Sequence, residues 1–455
     1  MSKSEPRPEH TYTPYQQEFL RRFVTDIRPG SVHLLFAPVG TGKSFALAGA
    51  VAELVRAGRI DRILVLAPAP LAARWPFLLG RWDIAPAIVD GQALRLLRQD
   101  LDIKNRWPAG VYVMSSDFAK RPDIRDQLET TPWDLVVVDE AHLLSGQRLG
   151  LVEGLAANDP APALLLATHV LAKGIQRITQ TATVVDWHEA IARFREAQEA
   201  SAGPMVVSET RQYRRSPDEV MIARKVMEYA RQVGPPTGMI LLKLASSSIN
   251  SLEGSLIRWV EAPDRLADAN DQIEDLLLQI EQLRVDSRLD CFKSLVEELV
   301  DRGVRHVVAM CEFRATLDYL VAAVEQLDFP AFGLFGGMTD EQGREVLARF
   351  ESEGGLLITT GVSEGVSLDF VEAAIHYDLP TSPIAFAMRE GRYNRVGRSQ
   401  PCTVYFFEDE TGALPLENLA LRMVRKLDLV TDDTDFDIDS LFRAALADDS
   451  VGSAS

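Results

Sequence analysis

The stretch Ala37-Pro-Val-Gly-Thr-Gly-Lys-Ser44 directly follows the apolar run Val32-His-Leu-Leu-Phe36 and precedes Phe45-Ala-Leu-Ala-Gly-Ala50. This order predicts a buried strand, then a glycine-rich loop, then the start of a helix. Gly40 and Gly42 let backbone N–H groups converge on an anion, and the helix N-terminus adds a favourable dipole. The sequence therefore predicts a phosphate-binding loop.

The residues predicted to contact a bound nucleotide here are Gly40, Thr41, Gly42, Lys43 and Ser44. Lys43 is expected to reach the β- and γ-phosphates, and the Ser44 hydroxyl is expected to ligate Mg²⁺. Ala37 stands where such loops usually begin with glycine, so the prediction depends on the strand–loop–helix context. The alternative is a glycine-rich turn that binds no ligand.

A second apolar run, Leu135-Val-Val-Val138, ends in the adjacent carboxylates Asp139 and Glu140. Asp139 is predicted to hold the Mg²⁺ of a bound nucleotide, and Glu140 to orient or deprotonate the attacking water. A glutamate in this place indicates a hydrolysing motor and not a switch GTPase. The alternative is a solvated helix start, which the helix dipole also favours.

Composition narrows the class of protein. The 455 residues are 46% hydrophobic and 25% charged, as in a soluble globular protein of about three domains. No apolar run is long enough to span a membrane and no signal-like segment opens the chain, so a cytoplasmic protein, nucleoid-associated if bacterial, is expected. The three cysteines lack disulfide or metal spacing, which fits a reducing compartment. No structural metal cluster is predicted.

The formal net charge of −18 excludes a generally basic nucleic-acid-binding surface. Part of the excess is local, because residues 431–455 carry seven aspartates against one arginine. Any nucleic-acid path must therefore be a confined positive groove. We assign residues 426–455 to an acidic tail and residues 1–14 to a mobile N-terminus.

Alternating strand and helix patterns predict an α/β fold with parallel sheets. One α/β lobe covers 15–187, a mainly helical insert covers 188–285, and the alternation resumes over 286–425. In the insert, the basic segment Arg211-Gln-Tyr-Arg-Arg215 is interpreted as a solvated face. An apolar stripe at helical spacing is interpreted as packing; its members are Ile273, Leu276, Leu277, Ile280 and Leu283.

The second lobe contains Met388-Arg-Glu-Gly-Arg392-Tyr-Asn-Arg395-Val-Gly-Arg398, with four arginines in ten residues. Arg392 and Arg395 lie three residues apart, so on a helix they would project in one direction. Facing the first lobe, they would neutralise charge on the γ-phosphate during hydrolysis. A plain basic face is the alternative.

The ordered set of motifs resembles the superfamily-two helicase-type ATPases with a DEAH box, and within them the Swi/Snf-like translocases of the bacterial RapA (HepA) group. The segments that carry this resemblance run from about residue 13 to 407: Tyr15-Gln16, Ala67-Pro-Ala-Pro-Leu71 with Trp75, Ser115-Ser116, Asp139-Glu-Ala-His142, Leu166-Ala-Thr168, Leu244–Leu256, Glu312–Leu320, Phe335-Gly-Gly337, Thr359–Leu368, Tyr377-Asp-Leu-Pro380 and Met388–Arg398.

The resemblance implies two tandem RecA-like P-loop lobes that use ATP and Mg²⁺. It implies that Gln16 reads the adenine and that Gly365 belongs to the nucleotide contacts. The side chains and backbone of Ser115, Ser116, Thr359 and Thr360 would hold nucleic-acid phosphates, which positions a strand without reading its sequence.

Four positions depart from the family pattern: His169 replaces a proline, Met388 a glutamine, Arg398 a glutamine and Arg288 a lysine. None of them removes a catalytic group, so an active ATPase is expected. The resemblance favours translocation on duplex DNA that remodels protein–DNA complexes. Two alternatives stay open: a strand-separating DNA or RNA helicase, and an ATP-dependent conformational subunit of a defence or restriction-type assembly. A nuclease, methyltransferase or polymerase is a possible protein partner, and no membrane is expected.

Overall fold

The structure is a computed structural model that describes residues 12–91, 93–94, 107–172, 175–202, 205–261, 270–325, 327, 329–360, 366–396, 398 and 400–426. The chain forms two compact units, Met1–Ser201 and Ala202–Ser455. Each unit contains a parallel sheet, and a helical segment follows the first strand of the second unit, which confirms the predicted α/β architecture. The narrower domain limits at 187, 285 and 425 stay predictions. The predicted acidic tail, from residue 427 onward, and residues 1–11 lie outside the described residues.

The strands of the first unit are β1 (Val32–Phe36), β2 (Arg62–Ala67), β3 (Ala87–Ile88), β4 (Gly110–Ser115), β5 (Leu135–Val138), β6 (Ala163–Thr168) and β7 (Thr183–Asp186). They form a parallel sheet in the order β3-β4-β2-β5-β6-β1-β7. Strands β5 and β6 are buried along their whole length, as in parallel strands that are covered on both faces. Because β5, β6 and β1 are neighbours, their carboxyl ends meet at one edge of the sheet.

The helices of the first unit are α1 (Pro14–Asp26), α2 (Lys43–Arg56), α3 (Ala69–Ala72), α4 (Trp75–Gly80), α5 (Ser116–Ala119), α6 (Pro122–Glu129), α7 (Gly146–Ala156), α8 (Gln176–Thr179) and α9 (His188–Ala202). Helix α1 begins with a capping box formed by Thr13 and Gln16, and Pro14 suits its first turn. Among the described residues, no helix combines the length and hydropathy that crossing a bilayer requires.

The strands of the second unit are β8 (Val206–Tyr213), β9 (His306–Cys311), β10 (Ala331–Phe335), β11 (Gly355–Thr360), β12 (Ala373–His376) and β13 (Cys402–Asp409). They form a parallel sheet in the order β10-β11-β9-β12-β13-β8. Strand β8 lies at the edge, pairs with β13 and is exposed over most of its length. It therefore lacks the apolar run that identified the other strands, and the sequence pattern assigned it to a helical segment.

The helices of the second unit are α10 (Pro217–Val233), α11 (Thr237–Ser247), α12 (Ile249–Val260), α13 (Asn270–Gln282), α14 (Ser287–Asp301), α15 (Arg314–Val324), α16 (Asp340–Glu353), α17 (Pro383–Tyr393) and α18 (Pro415–Lys426). Helices α10 to α13 share one apolar core. The predicted stripe on α13 packs into that core: Ile273, Leu276 and Ile280 are buried and their two companions are partly buried. The packing interpretation of this stripe is confirmed.

The basic segment after β8 is not a uniformly solvated face. The side chain of Arg215 is only 9% exposed and forms ion pairs with Asp409 and Glu417, which are also buried. Arg288 adds a second guanidinium 3.4 Å from Glu417. Arg214, the neighbour in sequence, is 78% exposed. The interpretation of Arg215 as a solvated residue is therefore wrong, because two buried carboxylates of the second unit need its charge.

Replacing Arg215 with methionine is expected to destabilise the second unit by about 3–5 kcal/mol, since Asp409 and Glu417 would lose their main partner inside the protein. The matched control Arg214→Met is expected to change the free energy of unfolding by no more than about 0.5 kcal/mol. Urea unfolding followed by circular dichroism measures both. Equal stability of the two variants would contradict the structural role of Arg215.

Candidate active site

The glycine-rich loop connects β1 to α2 as the sequence predicts. The Ala37 amide donates to the Thr168 carbonyl at 3.0 Å, which fastens the start of the loop to the end of β6. Gly40 and Gly42 have φ values of +78° and +80°, a conformation that side chains disfavour. A Cβ at Gly42 would also lie 2.5 Å from Gln16 Nε2. The positive φ therefore favours glycine at position 42, and a side chain there would also displace the Gln16 amide.

Lys43 opens helix α2 and is buried. Its Nζ donates to the carbonyls of Ala37 and Pro38 at 3.1 and 3.0 Å, so the ammonium lies within the curl of the loop. Burial lowers the pKa of Lys43, while the charges of Glu140 and Asp139 act in the opposite direction. The lysine is thus held where a nucleotide phosphate would enter the loop.

Gln16 and Tyr15 lie against the same loop from helix α1. Gln16 Nε2 and the Tyr15 hydroxyl each donate to the Thr41 carbonyl at 3.3 Å, and Gln16 Oε1 accepts from the Thr13 amide at 3.0 Å. The Thr41 hydroxyl donates to the Pro38 carbonyl at 2.8 Å. The predicted adenine-reading glutamine therefore adjoins the loop, and its role toward adenine stays a prediction.

Asp139 and Glu140 follow β5 at the edge where β1 and β6 also end. The Asp139 amide donates to Leu66 of β2 at 2.9 Å. Glu140 has φ +54° and ψ +52°, a left-handed conformation that is uncommon outside glycine and that functional sites often retain. The chain therefore turns sharply at Glu140, directly after Asp139.

Asp139 is almost fully buried, and within the described residues its Oδ2 has no hydrogen-bond partner. Burial and the neighbouring Glu140 raise the pKa of Asp139, while a hydrogen bond with the Ser44 hydroxyl lowers it. A hydroxyl and a carboxylate with an unused oxygen are the donors that Mg²⁺ prefers. Ser44 and Asp139 can therefore hold such an ion.

Glu140 contacts two histidines. Its Oε2 lies 3.2 Å from His169 Nδ1 and 3.4 Å from His142 Nδ1, and the two imidazole rings are 4.3 Å apart. Burial would raise the pKa of Glu140, but the hydrogen bond with His169 and the charge of Lys43 lower it overall. Burial and His169 lower the pKa of His142 to about 4. These neighbours therefore favour the charged form of the Glu140 carboxylate.

The donor atoms of these three side chains can together hold a metal ion, and the sequence analysis did not identify this group. The signal was present in the sequence: His169 follows Thr168 at the end of β6, beside the strand that carries Glu140 and His142. Sequence reasoning noted His169 only as a departure from the family pattern. It also missed Arg74, a largely buried arginine on which the charge of Asp139 acts.

The predicted nucleic-acid contacts of the first unit lie next to this site. A cleft of about 360 Å³ is lined by Asp139, Glu140, Ser116 and Arg148, among others. Ser115 ends β4, and its hydroxyl accepts from the Phe118 amide at 3.1 Å, which caps the short helix α5. The Ser116 side chain is half-buried.

Their counterparts in the second unit are Thr359 and Thr360, at the end of β11. Thr359 is fully buried, so its side chain is shielded from solvent, while Thr360 is half-buried. Gly365 lies outside the described residues. The nucleic-acid and nucleotide roles of these residues stay predictions.

The arginine stretch occupies helix α17 and the turn after it. Arg389 is buried and donates to the Asp378 carbonyl at 2.8 Å, and Arg398 is buried and donates to the Tyr393 carbonyl at 2.9 Å. Arg392 lies in the last helical turn. Arg395 lies beyond the helix end at Tyr393 and donates to the Val366 carbonyl at 3.2 Å. The argument that helical spacing aligns Arg392 with Arg395 therefore does not hold.

Comparison with known proteins reveals two family matches. Residues 9–167 match the family described as type III restriction enzyme, res subunit, and residues 290–397 match the helicase conserved C-terminal domain. Lys43, Asp139 and Glu140 lie in the first match, and Arg392 and Arg395 in the second.

The chain is 24% identical over 435 residues to a Bacillus subtilis protein described as the uncharacterized ATP-dependent helicase YqhH, covering 88% of this chain and 75% of the relative. It is 33% identical over 144 residues to the RNA polymerase-associated protein RapA of Photobacterium profundum. That match covers 30% of this chain and 15% of RapA, so the predicted likeness to RapA holds for a part only.

Solved structures share the fold. The helicase domain of Pyrococcus furiosus Hef superimposes with a TM-score of 0.57 at 15% identity, covering 87% of this chain and 95% of Hef's. Saccharomyces cerevisiae Dbp5 bound to RNA and ADP BeF3 superimposes with a TM-score of 0.52 at 14% identity. The superposition covers 95% of this chain and 93% of the Dbp5 chain. At these identities the likeness supports the fold alone.

Two substitutions should separate nucleotide binding from hydrolysis. Lys43→Ala is expected to lose ATP binding, because the buried ammonium in the loop is removed. Glu140→Gln is expected to bind ATP normally and to hydrolyse it about 10²–10⁴-fold more slowly, since the amide cannot take a proton. A fluorescent ATP analogue and a phosphate-release assay measure the two properties. Glu53→Gln, at an exposed position of α2, serves as control. Native turnover of Glu140→Gln would exclude Glu140 as the base.

Proposed function

We propose that the chain is a superfamily-two helicase-type ATPase that converts ATP hydrolysis into translocation on duplex DNA, remodelling protein–DNA complexes. The observation that carries the proposal is the site at the ends of β5, β6 and β1. There the Lys43 ammonium lies within the curl of the glycine-rich loop, and Asp139 and Glu140 directly follow β5.

In this proposal the loop residues bind the nucleotide. Backbone N–H groups around Gly40, Thr41 and Gly42 surround the phosphates, and Lys43 exchanges its loop carbonyls for phosphate oxygens. Ser44 and Asp139 hold Mg²⁺, which neutralises phosphate charge when bound. Gln16, already seated against the loop, reads the adenine.

Glu140 orients the attacking water and accepts its proton. The hydrogen bond from His169 fixes the carboxylate, and the backbone at residue 140 is left-handed. Separate tasks for adjacent carboxylates fit their pKa shifts, which run in opposite directions.

The second unit supplies cations in the proposed cycle. Arg392 and Arg395 stabilise charge on the γ-phosphate when the two units close around ATP, which makes hydrolysis depend on closure. Glycine at position 365 contributes a nucleotide contact. Opening after hydrolysis then advances the units along one strand of the DNA.

Phosphate contacts explain how an acidic protein binds DNA. Ser115, Ser116, Thr359 and Thr360, through side-chain hydroxyls or backbone N–H groups, hold the sugar–phosphate backbone along a confined track. Ser116 borders the cleft that contains Glu140, so a strand bound there adjoins the catalytic carboxylate. The DEAH-box and Swi/Snf-like motifs support duplex translocation as the mode of action.

Two other functions have specific support. A strand-separating helicase acting on DNA or RNA is supported by the match to YqhH, a protein described as an ATP-dependent helicase. A conformational subunit of a restriction-type assembly is supported by the match of residues 9–167 to the type III restriction enzyme family. A nuclease or methyltransferase would be the partner in that case, and a polymerase would be the partner in a RapA-like case.

The preferred nucleic acid can be found from ATPase rates without nucleic acid and with single-stranded DNA, duplex DNA or RNA. Duplex DNA is expected to stimulate most, and stimulation is expected to fall with salt because phosphate contacts release counterions. Glu140→Gln should stay inactive in all four conditions.

Equal rates in all four conditions would contradict a nucleic-acid motor. Unwinding of a forked substrate, with little response to blunt duplex DNA, would support the strand-separating alternative.

A further inference from the structure

The cluster of Glu140, His142 and His169 contains the donor atoms of a transition-metal site. The neighbouring strands β5 and β6 bring the three side chains together: Glu140 follows β5, His142 lies in the single 3₁₀ turn Ala141–Leu143, and His169 follows β6. Two imidazoles and one glutamate form the set that holds zinc in several metalloenzymes.

The distances suit one shared ion. Ligands bonded tetrahedrally to zinc at about 2.0–2.1 Å lie roughly 3.4 Å from one another. Glu140 Oε2 lies 3.4 Å from His142 Nδ1 and 3.2 Å from His169 Nδ1. The donor atoms of all three residues lie within 4.8 Å of one another. An inward shift of the order of 1 Å by one imidazole would bring the three donor atoms to the spacing of tetrahedral ligands.

The two imidazoles also contain buried nitrogen atoms without hydrogen-bond partners among the described residues. Their side chains are only 8% and 5% exposed, yet within the described residues His142 Nδ1 and His169 Nε2 have no hydrogen-bond partner. Buried polar atoms in native proteins are nearly always paired, so the unpaired His142 Nδ1 calls for a ligand. A metal ion would satisfy His142 Nδ1 directly.

We propose that Glu140, His142 and His169 bind one divalent transition-metal ion, zinc being the best match, and that the bound ion blocks hydrolysis by engaging Glu140. The site is separate from the Mg²⁺ position at Ser44 and Asp139. Imidazole ligands favour zinc, copper and nickel, whereas Mg²⁺ prefers oxygen ligands. Each ion therefore prefers a different one of the two positions. Metal binding depends only on the three side chains of the cluster. The inhibition of hydrolysis also depends on the proposed function of Glu140.

The charge of Lys43 and the number of ligands determine how strongly this site would hold an ion. Its positive charge acts on both Glu140 and His142 and therefore opposes a second cation. Three protein ligands also leave one coordination position open, unlike the closed four-ligand sites of structural zinc. The ion is therefore expected to be exchangeable and removable by a chelator.

Binding is tested on the tag-free full chain with Co²⁺, whose visible absorption reports tetrahedral coordination, and with Zn²⁺ by calorimetry. One ion per chain is expected. His142→Gln and His169→Gln should each weaken binding at least tenfold. The control His188→Gln removes a histidine that also contacts a carboxylate, Asp186, but lies outside the cluster, and it should bind like the native chain. Circular dichroism verifies that each variant folds.

Native-like Co²⁺ affinity in His169→Gln, or no tetrahedral spectrum in the native chain, would overturn the metal site. The inhibitory part is tested by adding Zn²⁺ to Mg²⁺-ATP turnover and reversing it with a zinc-selective chelator. At least tenfold reversible inhibition is expected. Stoichiometric zinc binding with unchanged turnover would overturn the inhibition and the assigned role of Glu140, while the binding site itself would stand.

Discussion

The electrostatic attraction between the buried Lys43 ammonium and the carboxylates that follow β5 is the interaction on which the site depends. An ammonium and two carboxylates are costly to remove from water unless they compensate one another. The parallel sheet makes this compensation possible, because β5, β6 and β1 are adjacent and end at the same edge. The Ala37–Thr168 hydrogen bond then fixes the loop that carries the lysine against the strand that carries His169.

The same arrangement explains why two adjacent acids have different properties. Asp139 is buried deeper and faces Ser44, while Glu140 turns through a left-handed backbone toward two imidazoles. A single parallel-sheet edge thus provides an oxygen-rich position, which we propose for Mg²⁺, and a nitrogen-rich one beside it. His169, which directly follows Thr168, supplies one imidazole of the second position and donates a hydrogen bond to Glu140.

The sequence predicted the features that apolar runs and glycine-rich loops determine locally, namely strand positions and the conformation of the loop. Strands β1 and β5 have the bounds that their apolar runs predict, and the loop at Gly40 and Gly42 has the expected backbone. Features that depend on distant partners were missed. Strand β8 is an exposed edge strand that needs only backbone pairing with β13, Arg215 is buried by carboxylates almost two hundred residues away, and helix α17 ends before Arg395.

We propose that Arg392 and Arg395 of the second unit stabilise charge on the nucleotide that the first unit binds. The most direct measurement is single-turnover ATP hydrolysis with duplex DNA by Arg392→Ala and Arg395→Ala, with ATP binding measured in parallel and with lysine variants and circular dichroism as folding controls. If these arginines stabilise charge on the γ-phosphate, ATP binding stays native-like. Hydrolysis is then slower by about 10³-fold or more in at least one variant. Hydrolysis at the native rate in both alanine variants would contradict this proposal.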